Sequence, residues 1–228
     1  DDDNPVLSPL VFARKDIFMD RFLAKLEDVG ILYEGMYSTI KPCPANAFTI
    51  CTRFHTMDQV LHKMMKDSDN LYAESMYYQI AASTGNRSAS AKSARNVQRQ
   101  LVRKIGLDPA RYKFADGSGL SLYNYVSAEL EVKLLRYAYQ DENILPHLKQ
   151  SLPIAGVDGT LKRRMRSGFA HGNVKAKTGT VTGVIGLAGY CKATNGHDLC
   201  FSILNNGIMH SNNARSFADK VCELLCQP

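Results

Sequence analysis

The sequence predicts an α+β fold, and three observations support this prediction. Most of the chain before residue 141 consists of runs in which apolar residues recur at helical spacing. Residues 173–207 instead contain β-branched residues, apolar–polar alternation and turn signals, which are typical of antiparallel strands. Residues 214–226 return to helical spacing. Helices in the middle, an antiparallel sheet late in the chain and a closing helix together indicate the α+β class.

The helices ahead of the sheet are predicted from apolar spacing and from their end signals. Thr56 and Gln59 have the spacing of a capping box at the start of the second helix. On the last of these helices, Glu131, Lys133 and Arg136 are expected to face solvent. The predicted helices cover residues 16–29, 57–67, 71–82, 94–106 and 127–140.

Shorter segments join these helices. Residues 48–54 are predicted as a short strand, and residues 83–93 as a loop rich in Ser and Gly. The turn-rich residues 114–124 are expected to form a tightly wound loop. Residues 152–165 are expected to lead into a further short helix.

The late sheet contains a hairpin whose turn is predicted at the Asn-Gly pair 195–196. Counting outward from a two-residue turn places Cys191 opposite Cys200, at a pair where Cα atoms lie about 4.5 Å apart. That separation permits either a disulfide or two thiols packed side by side. Cys222 and Cys226 lie one helical turn apart and are expected in the core of the last helix.

The length and charge of the chain restrict its class. Its 228 residues suffice for one large domain or for one domain plus part of another. The formal net charge of +6 suits an anionic partner such as a cell-wall polymer, a membrane surface or nucleic acid. No aromatic residues interleave with the densest basic cluster, 161–166, so nucleic acid is not expected as a partner. No apolar run is long enough for a transmembrane segment, and no Cys or His spacing indicates a metal site.

Two polar triplets carry the functional argument. Ser-Asp-Asn at 68–70 separates two predicted helices, where such residues commonly form a joint or an N-cap. Lys-Thr-Gly at 177–179 lies on a predicted strand, where it can be a solvated strand end. An ammonium, a hydroxyl and a residue without Cβ also suit a strand that holds an extended peptide by its carboxylate.

Together the triplets resemble the second and third signature motifs of penicillin-binding proteins and serine β-lactamases. The intervening segments 115–127 and 152–165 resemble segments of the class C D-alanyl-D-alanine carboxypeptidase/endopeptidases, which are penicillin-binding protein 4-like enzymes of peptidase family S13. The resemblance is strongest from about residue 57 to 205. It implies the transpeptidase fold of penicillin-binding proteins and serine β-lactamases, with an antiparallel sheet flanked by helices and a helical subdomain, incomplete at its N-terminal side.

The resemblance implies an acyl-transfer reaction on peptidoglycan stem peptides. In this family a nucleophilic Ser attacks the carbonyl between the last two D-alanines, and the acyl-enzyme is then hydrolysed. Penicillin can react in place of the substrate. Carried onto this chain, Ser68 would relay a proton to the leaving amine, Asn70 would hydrogen-bond the substrate amide, and Lys177 would place positive charge near Ser68.

The resemblance also implies how the substrate binds. Thr178 would hold the terminal carboxylate, Gly179 would allow close approach, and the backbone N–H of Thr180 would form half of an oxyanion hole. It implies no cofactor and no metal. The expected partners are D-Ala-D-Ala peptides and β-lactams, and the expected location is periplasmic or otherwise extracytoplasmic, with a signal peptide that is not in this chain.

The family's nucleophile lies in a Ser-x-x-Lys motif at the start of a helix. The Ser-x-x-Lys at 38–41 does not fit, because Pro42 follows it and its central Thr-Ile pair favours a strand. We therefore expect the nucleophile on a segment absent from this chain, and the chain alone to be inactive. Residues 1–50 would be the return from an inserted domain, and 51–228 the C-terminal part of the catalytic domain.

Two other functions remain open at the level of sequence. A serine β-lactamase of class A needs a Glu between the two motifs to activate the deacylating water. No Glu occurs between Glu74 and Glu129, and nothing resembles the expected Glu-x-x-Leu-Asn, so the peptidase is favoured. A non-catalytic peptidoglycan-binding module of the same fold would keep the peptide cleft without the nucleophile. A Ser-His-Asp hydrolase is not favoured, because the chain has no Gly-x-Ser-x-Gly elbow.

Overall fold

The computed structural model describes residues 14–35, 45–85 and 89–227. The chain divides into two units, Asp1–Arg53 and Phe54–Pro228. Among the described residues there are seven α-helices and one antiparallel sheet of three strands, which confirms the α+β class. The assignment of the first fifty residues to an inserted domain stays a prediction.

The first unit contains helix α1, Arg14–Asp28. Gly30 follows it with a φ of 81°, a left-handed conformation that ends helices at little steric cost. The predicted helix 16–29 is thereby confirmed. Cys43 and the Ser-x-x-Lys segment 38–41 lie outside the described residues.

The predicted strand at 48–54 is wrong, because these residues adopt no regular secondary structure. Their β-branched and aromatic composition favours a pleated surface that is half buried. Here Phe48, Ile50 and Phe54 are 84%, 89% and 80% exposed, and no described strand pairs with them. Without a partner strand, the intrinsic preference of these residues for extended structure does not produce a β-strand.

The second unit contains the other six helices. In the described residues, no helix is both long and apolar enough to cross a bilayer. The capping box predicted at the start of α2 is confirmed, since the Gln59 N–H donates to Thr56 Oγ1 and the Thr56 N–H donates to Gln59 Oε1. The helices are α2 Met57–Lys66, α3 Asn70–Ala82, α4 Ala91–Lys104, α5 Ala128–Tyr139, α6 Leu145–Ser151 and α7 Ser211–Cys226.

Several helices differ from the sequence predictions. Helix α4 begins earlier than residue 94, because Ser90 caps it and exchanges hydrogen bonds with Ser93. Apolar spacing does not predict helix α6, because this helix spans only two turns and contains Pro146 in its first turn. The short helix expected within 152–165 is a single 3₁₀ turn, Gly159–Leu161.

The sheet has the order β1-β2-β3, and both pairings are antiparallel. This confirms the predicted run of antiparallel strands. Strand β1 is Lys175–Val181, β2 is Val184–Lys192 and β3 is Asp198–Asn206.

Helices cover both faces of the sheet. On one face, the buried Leu187, Cys191 and Phe201 form a core with Cys222 and Cys226 of α7. This confirms that the two C-terminal cysteines are core residues. On the other face lies α5, whose Leu135 carbonyl accepts a hydrogen bond from the Tyr190 hydroxyl. Alternate residues of each strand therefore serve separate layers.

The predicted pairing of Cys191 with Cys200 is wrong by one residue. Cys191 lies opposite Leu199, and Cys200 lies opposite Tyr190, so the two thiols project from opposite faces of the sheet and are both free. The loop is longer than two residues, since the Ala193 N–H donates to the His197 carbonyl. Thr194 is the extra residue of this three-residue loop, and Gly196, with a φ of 89°, takes its left-handed position.

The prediction that Glu131 faces solvent is also wrong. Its carboxylate accepts a 2.6 Å hydrogen bond from Ser202 Oγ on β3. Burial raises the pKa of the Glu131 carboxyl, and the Ser202 hydrogen bond opposes that rise. Arg136, on the same helix, is exposed as predicted.

Candidate active site

Ser68 lies in the joint between α2 and α3. Its φ of 56° is left-handed, which is uncommon for a residue with a Cβ. The neighbouring Asp69 caps α3, because its Oδ1 accepts from the N–H groups of Leu71 and Tyr72 at 3.0 and 3.1 Å. Asp69 thus fulfils the structural role of the triplet and leaves the Ser68 side chain free for another contact.

Lys177 of β1 meets Ser68 across the cleft. Its Nζ lies 2.7 Å from Ser68 Oγ and 2.7 Å from the carbonyl oxygen of Thr178. The side chain is largely buried, and this burial lowers the pKa of its ammonium group. The two polar triplets, which are far apart in sequence, therefore converge at one hydrogen bond.

The other residues of the Lys-Thr-Gly strand line a groove of about 370 Å³. Thr178 also hydrogen-bonds Thr160, with 2.9 Å between the two hydroxyl oxygens. A Cβ on Gly179 would meet nothing within 4 Å, so open space lies beside this part of the strand. Thr180 lies next to it and lines the same groove.

The rest of the groove is mostly apolar. Met65 of α2, Leu134 of α5 and Leu152 contribute to its wall, as does Leu204 of β3. The half-buried Glu131 also lines it. The groove lies between α2, α5 and the sheet, so an apolar cavity is directly beside Lys177.

The Asn70 side chain forms no hydrogen bond with Ser68 or Lys177 in the described part of the chain. Asn70 is the first residue of α3 and is exposed. Among the described residues, neither Asn70 nor Ser68 lines the groove. The hydrogen bond between Lys177 Nζ and Ser68 Oγ is therefore the contact that joins the two triplets.

The tightly wound loop predicted at 114–124 is confirmed and packs on α3. One carboxylate oxygen of Glu74 accepts hydrogen bonds from the N–H groups of Gly117 and Ser118 and from the Ser118 hydroxyl. A Cβ on Gly117 would lie 2.5 Å from the Cβ of Tyr77, so only glycine fits this approach. Gly119, at the end of this contact, reaches the groove.

Sequence reasoning missed the segment that lies between the two triplets. Lys66 is 5% exposed and forms a 2.5 Å ion pair with Asp158. Thr160, two residues on, holds Thr178. The available signal was that Asp158 and Thr160 lie in the segment 152–165, which resembles the family. The sequence does not assign a role to either residue.

No group of three or more His, Cys, Asp or Glu side chains in the described part of the chain is arranged to hold a metal ion. The groups that the structure brings together are the hydroxyls of Ser68, Thr178 and Thr160, the Lys177 ammonium group and the strand backbone. This set can hold a carboxylate and move a proton.

Comparison with known proteins assigns the chain to a family. Residues 7–227 match the D-Ala-D-Ala carboxypeptidase 3 (S13) family. The D-alanyl-D-alanine carboxypeptidase DacB of Haemophilus influenzae is 37% identical over 153 residues, which is 66% of this chain and 32% of that protein. The chain thus spans about a third of the length of this curated relative.

Solved structures agree on the fold. The structure of penicillin binding protein 4 from Haemophilus influenzae, complexed with a novel β-lactam, aligns with a TM-score of 0.75 and 29% identity. The alignment covers 92% of this chain and half of that one. An extended-spectrum β-lactamase aligns with a TM-score of 0.55 over 75% of this chain and 63% of its own, at 14% identity, which shows the shared fold alone.

The fold is therefore that of penicillin-binding proteins and β-lactamases. The family match extends over nearly the whole chain, including both triplets and the segments between them. The chain belongs to the D-Ala-D-Ala carboxypeptidase 3 (S13) family.

Proposed function

We propose that this chain forms part of a serine-type D-Ala-D-Ala carboxypeptidase/endopeptidase that acts on peptidoglycan stem peptides through an acyl-enzyme. The observation that carries the proposal is the 2.7 Å contact between Lys177 Nζ and Ser68 Oγ. It unites the two triplets whose family resemblance suggests this chemistry. Membership of the S13 family supports the same reaction.

The contact supports a role for Ser68 in proton transfer. An ammonium group only donates hydrogen bonds, so Ser68 Oγ must accept from Lys177. The proton of the Ser68 hydroxyl then points away from Lys177 and can be donated to a leaving amine. The positive charge of Lys177 would stabilise the serine oxygen as that proton leaves.

Substrate binding would use β1 and the start of α3. The outer edge of β1 pairs with no other described strand beyond a single bridge from Ile154 to Lys175, so an extended peptide can lie along it. In this pose the Thr178 hydroxyl would bind the terminal carboxylate, and the open space beside Gly179 would accept the peptide backbone. The Thr180 N–H would serve the oxyanion, and Asn70 would bind the substrate amide.

We propose that the nucleophile comes from a segment outside these 228 residues. The curated relative is about three times as long as the aligned part, which leaves room for such a segment. The apolar groove beside Lys177 is suited to a packed helix more than to a polar peptide, because most of its wall is aliphatic. A helix seated there could bring a serine hydroxyl close to Ser68 and Lys177.

The proposed location is periplasmic or otherwise extracytoplasmic, where peptidoglycan lies. The formal net charge of +6 favours association with an anionic cell wall. The partners would be D-Ala-D-Ala peptides and β-lactams, with neither nucleic acid nor a cofactor involved.

The test uses the protein expressed from its gene together with the upstream coding region. We expect intact mass to increase by one penicillin after incubation, and a D-Ala-D-Ala peptide to release D-Ala. Ser68→Ala should lower the rate of D-Ala release by at least about a hundredfold, as loss of a proton-transfer group typically does. Ser75→Ala is the matched control, because Ser75 lies on α3 and only donates to the Leu71 carbonyl.

The outcomes separate the candidate functions. Unchanged hydrolysis in Ser68→Ala would contradict the proposed role of the site. Reversible binding of a D-Ala-D-Ala peptide without any penicillin adduct would instead indicate a non-catalytic binding module. Rapid turnover of penicillin would indicate a β-lactamase.

A further inference from the structure

One short segment connects the Lys-Thr-Gly triplet to the helix end just before the Ser-Asp-Asn triplet. It consists of Asp158, Gly159 and Thr160, which are called the clasp below. Asp158 and Gly159 contact Lys66, and Thr160 contacts Thr178. Lys66 ends α2 only two residues before Ser68.

The contact of Asp158 with Lys66 is an ion pair with little access to water on one side. The Lys66 side chain is 6% exposed, and its Nζ lies 2.5 Å from Asp158 Oδ2. The other carboxylate oxygen of Asp158 accepts a 2.8 Å hydrogen bond from the Ile154 N–H. Because a buried ammonium group needs a partner, Asp158 fixes where the end of α2 can lie.

Gly159 and Thr160 continue this connection to the strand. A Cβ on Gly159 would lie 2.8 Å from the Lys66 carbonyl oxygen, so the clasp backbone packs directly on the end of α2. The Thr160 hydroxyl lies 2.9 Å from that of Thr178. The chain just before the clasp is held by a separate hydrogen bond, which the Ala155 N–H donates to the Val174 carbonyl.

We propose that the clasp sets the distance between the Ser68 joint and the Lys177–Thr178 strand, so that Lys66, Asp158 and Thr160 are positioning residues of the site. Ser68 and Lys177 meet through a single hydrogen bond, and Ser68 stands in an uncommon backbone conformation. Such a contact persists only when its surroundings hold both partners in place. The catalytic part of this inference rests on the proposed function.

Thr160 would also act on the carboxylate-binding hydroxyl. A hydroxyl can donate one hydrogen bond and accept others. In the structure the Thr178 hydroxyl donates to Thr160 Oγ1. When a substrate carboxylate accepts the Thr178 proton, the Thr160 hydroxyl can rotate and donate to Thr178 Oγ1 instead, which holds that hydroxyl in the productive orientation. Thr160→Val keeps the shape but removes this donor, whereas Thr160→Ser keeps it.

The first experiment measures the clasp without any reaction. The side-chain ammonium of Lys177 is titrated by NMR in the 228-residue chain, in Asp158→Asn and in Asp219→Asn. Asp219→Asn is the matched control, because Asp219 lies on α7 and forms a partly buried ion pair with Arg164 that involves neither triplet. We expect Asp158→Asn to move the pKa of Lys177 back toward its ordinary value as water enters, and Asp219→Asn to leave it unchanged.

The second experiment uses the protein with its upstream segment and a D-Ala-D-Ala peptide. Thr160→Val should raise KM about fivefold with little change in kcat, the effect of one lost hydrogen bond of about 1 kcal/mol. Thr160→Ser should restore the original KM. Asp158→Asn should lower kcat/KM through a slower acylation step.

The two experiments fail separately. If Asp158→Asn and Asp219→Asn leave the Lys177 titration equally unchanged, the clasp has no positioning role, whatever the activity. If the Lys177 titration responds as expected but even the unmodified protein shows no turnover, the proposed function fails and the positioning role stands. An unchanged KM in Thr160→Val would overturn the role assigned to Thr160.

Discussion

At the scale of single residues, Ser68 combines a strained backbone with a side chain that the site needs. A left-handed conformation costs a residue with a Cβ about 1–2 kcal/mol, and glycine avoids that cost. Two substitutions isolate this effect, because Ser68→Ala and Ser68→Gly both remove the hydroxyl and differ only in the Cβ.

We expect Ser68→Gly to be more stable than Ser68→Ala by about 0.5–1 kcal/mol, after allowing for the greater entropy of glycine in the unfolded chain. Urea unfolding of both variants checks this difference. Equal stabilities would contradict this prediction and would mean that the strain at Ser68 is no larger than the entropic cost of glycine.

Lys177 gives the stability of the chain a specific dependence on pH. Burial lowers its pKa in the folded state below the ordinary value of 10.5. Between that lowered pKa and 10.5 the unfolded chain binds more protons, so the free energy of unfolding rises with pH across this window. The penalty from burying the charge is fully present below the folded-state pKa.

The comparison is with Lys177→Met, which removes the titrating group and keeps a long apolar stem. We expect the free energy of unfolding of the unmodified chain to rise relative to this variant as pH increases through the window. Denaturant unfolding at a series of pH values measures both curves, and parallel curves would contradict the prediction.

At this scale the sequence predicts some of the site and misses the rest. Ser68 and Lys177 could be paired because their triplets have recognisable chemistry. Asp158 and Thr160 could not, because a single Asp or Thr in a loop is most often a turn residue. Their role depends on which backbone lies beside them, which only the tertiary structure determines.

At the scale of secondary-structure elements, β1 and β2 pack too closely in one place for a side chain. A Cβ on Gly189 of β2 would lie 2.1 Å from the Lys175 carbonyl oxygen and 2.6 Å from the Ala176 Cα, both backbone atoms. A Cβ on Gly186, three residues earlier, would meet only the flexible Cδ2 of Leu204, at 3.2 Å. The same strand therefore offers a matched pair of glycines.

We expect Gly189→Ala to lower the free energy of unfolding by about 1–3 kcal/mol, because the strand backbone must shift to make room. Gly186→Ala should change it by less than about 1 kcal/mol, since the Leu204 side chain can rotate. Thermal or urea unfolding measures both. Similar losses in the two variants would show that the approach at Gly189 is not the limiting contact.

The elements themselves were predictable where periodicity was strong. Helices α2 and α5, and the run of antiparallel strands, follow from patterns that repeat over many residues. The predicted hairpin register failed because the loop contains one more residue, Thr194, which shifts the pairing of the whole strand. Turn length is a local property that a pattern does not fix. The predicted strand at 48–54 failed for a reason that is not local: a preference for extended structure needs a partner strand, and no described strand pairs with these residues.

At the scale of the whole molecule, the cysteines report on the integrity of the core. Cys51 is exposed, whereas Cys191, Cys222 and Cys226 are buried. Burial raises the pKa of the Cys191 and Cys222 thiols to about 12, so few thiolates form near neutral pH. The thiolate is the reactive species, which makes these groups doubly protected.

We expect a maleimide to label Cys51 within minutes, and Cys191, Cys222 and Cys226 only as fast as the second unit unfolds. Mass spectrometry of proteolytic peptides over time measures each site. A mass lowered by the two hydrogens of a Cys191–Cys200 disulfide would contradict the observed register, in which these thiols lie on opposite faces.

The position of β3 at the end of the sheet has a consequence for handling the protein. Its outer edge pairs with no other described strand, so a row of backbone donors and acceptors is available to any extended chain. Two copies that meet along this edge could continue the sheet across the contact. Self-association would then increase with concentration, and light scattering over a dilution series would reveal it as a colloidal property of the isolated chain.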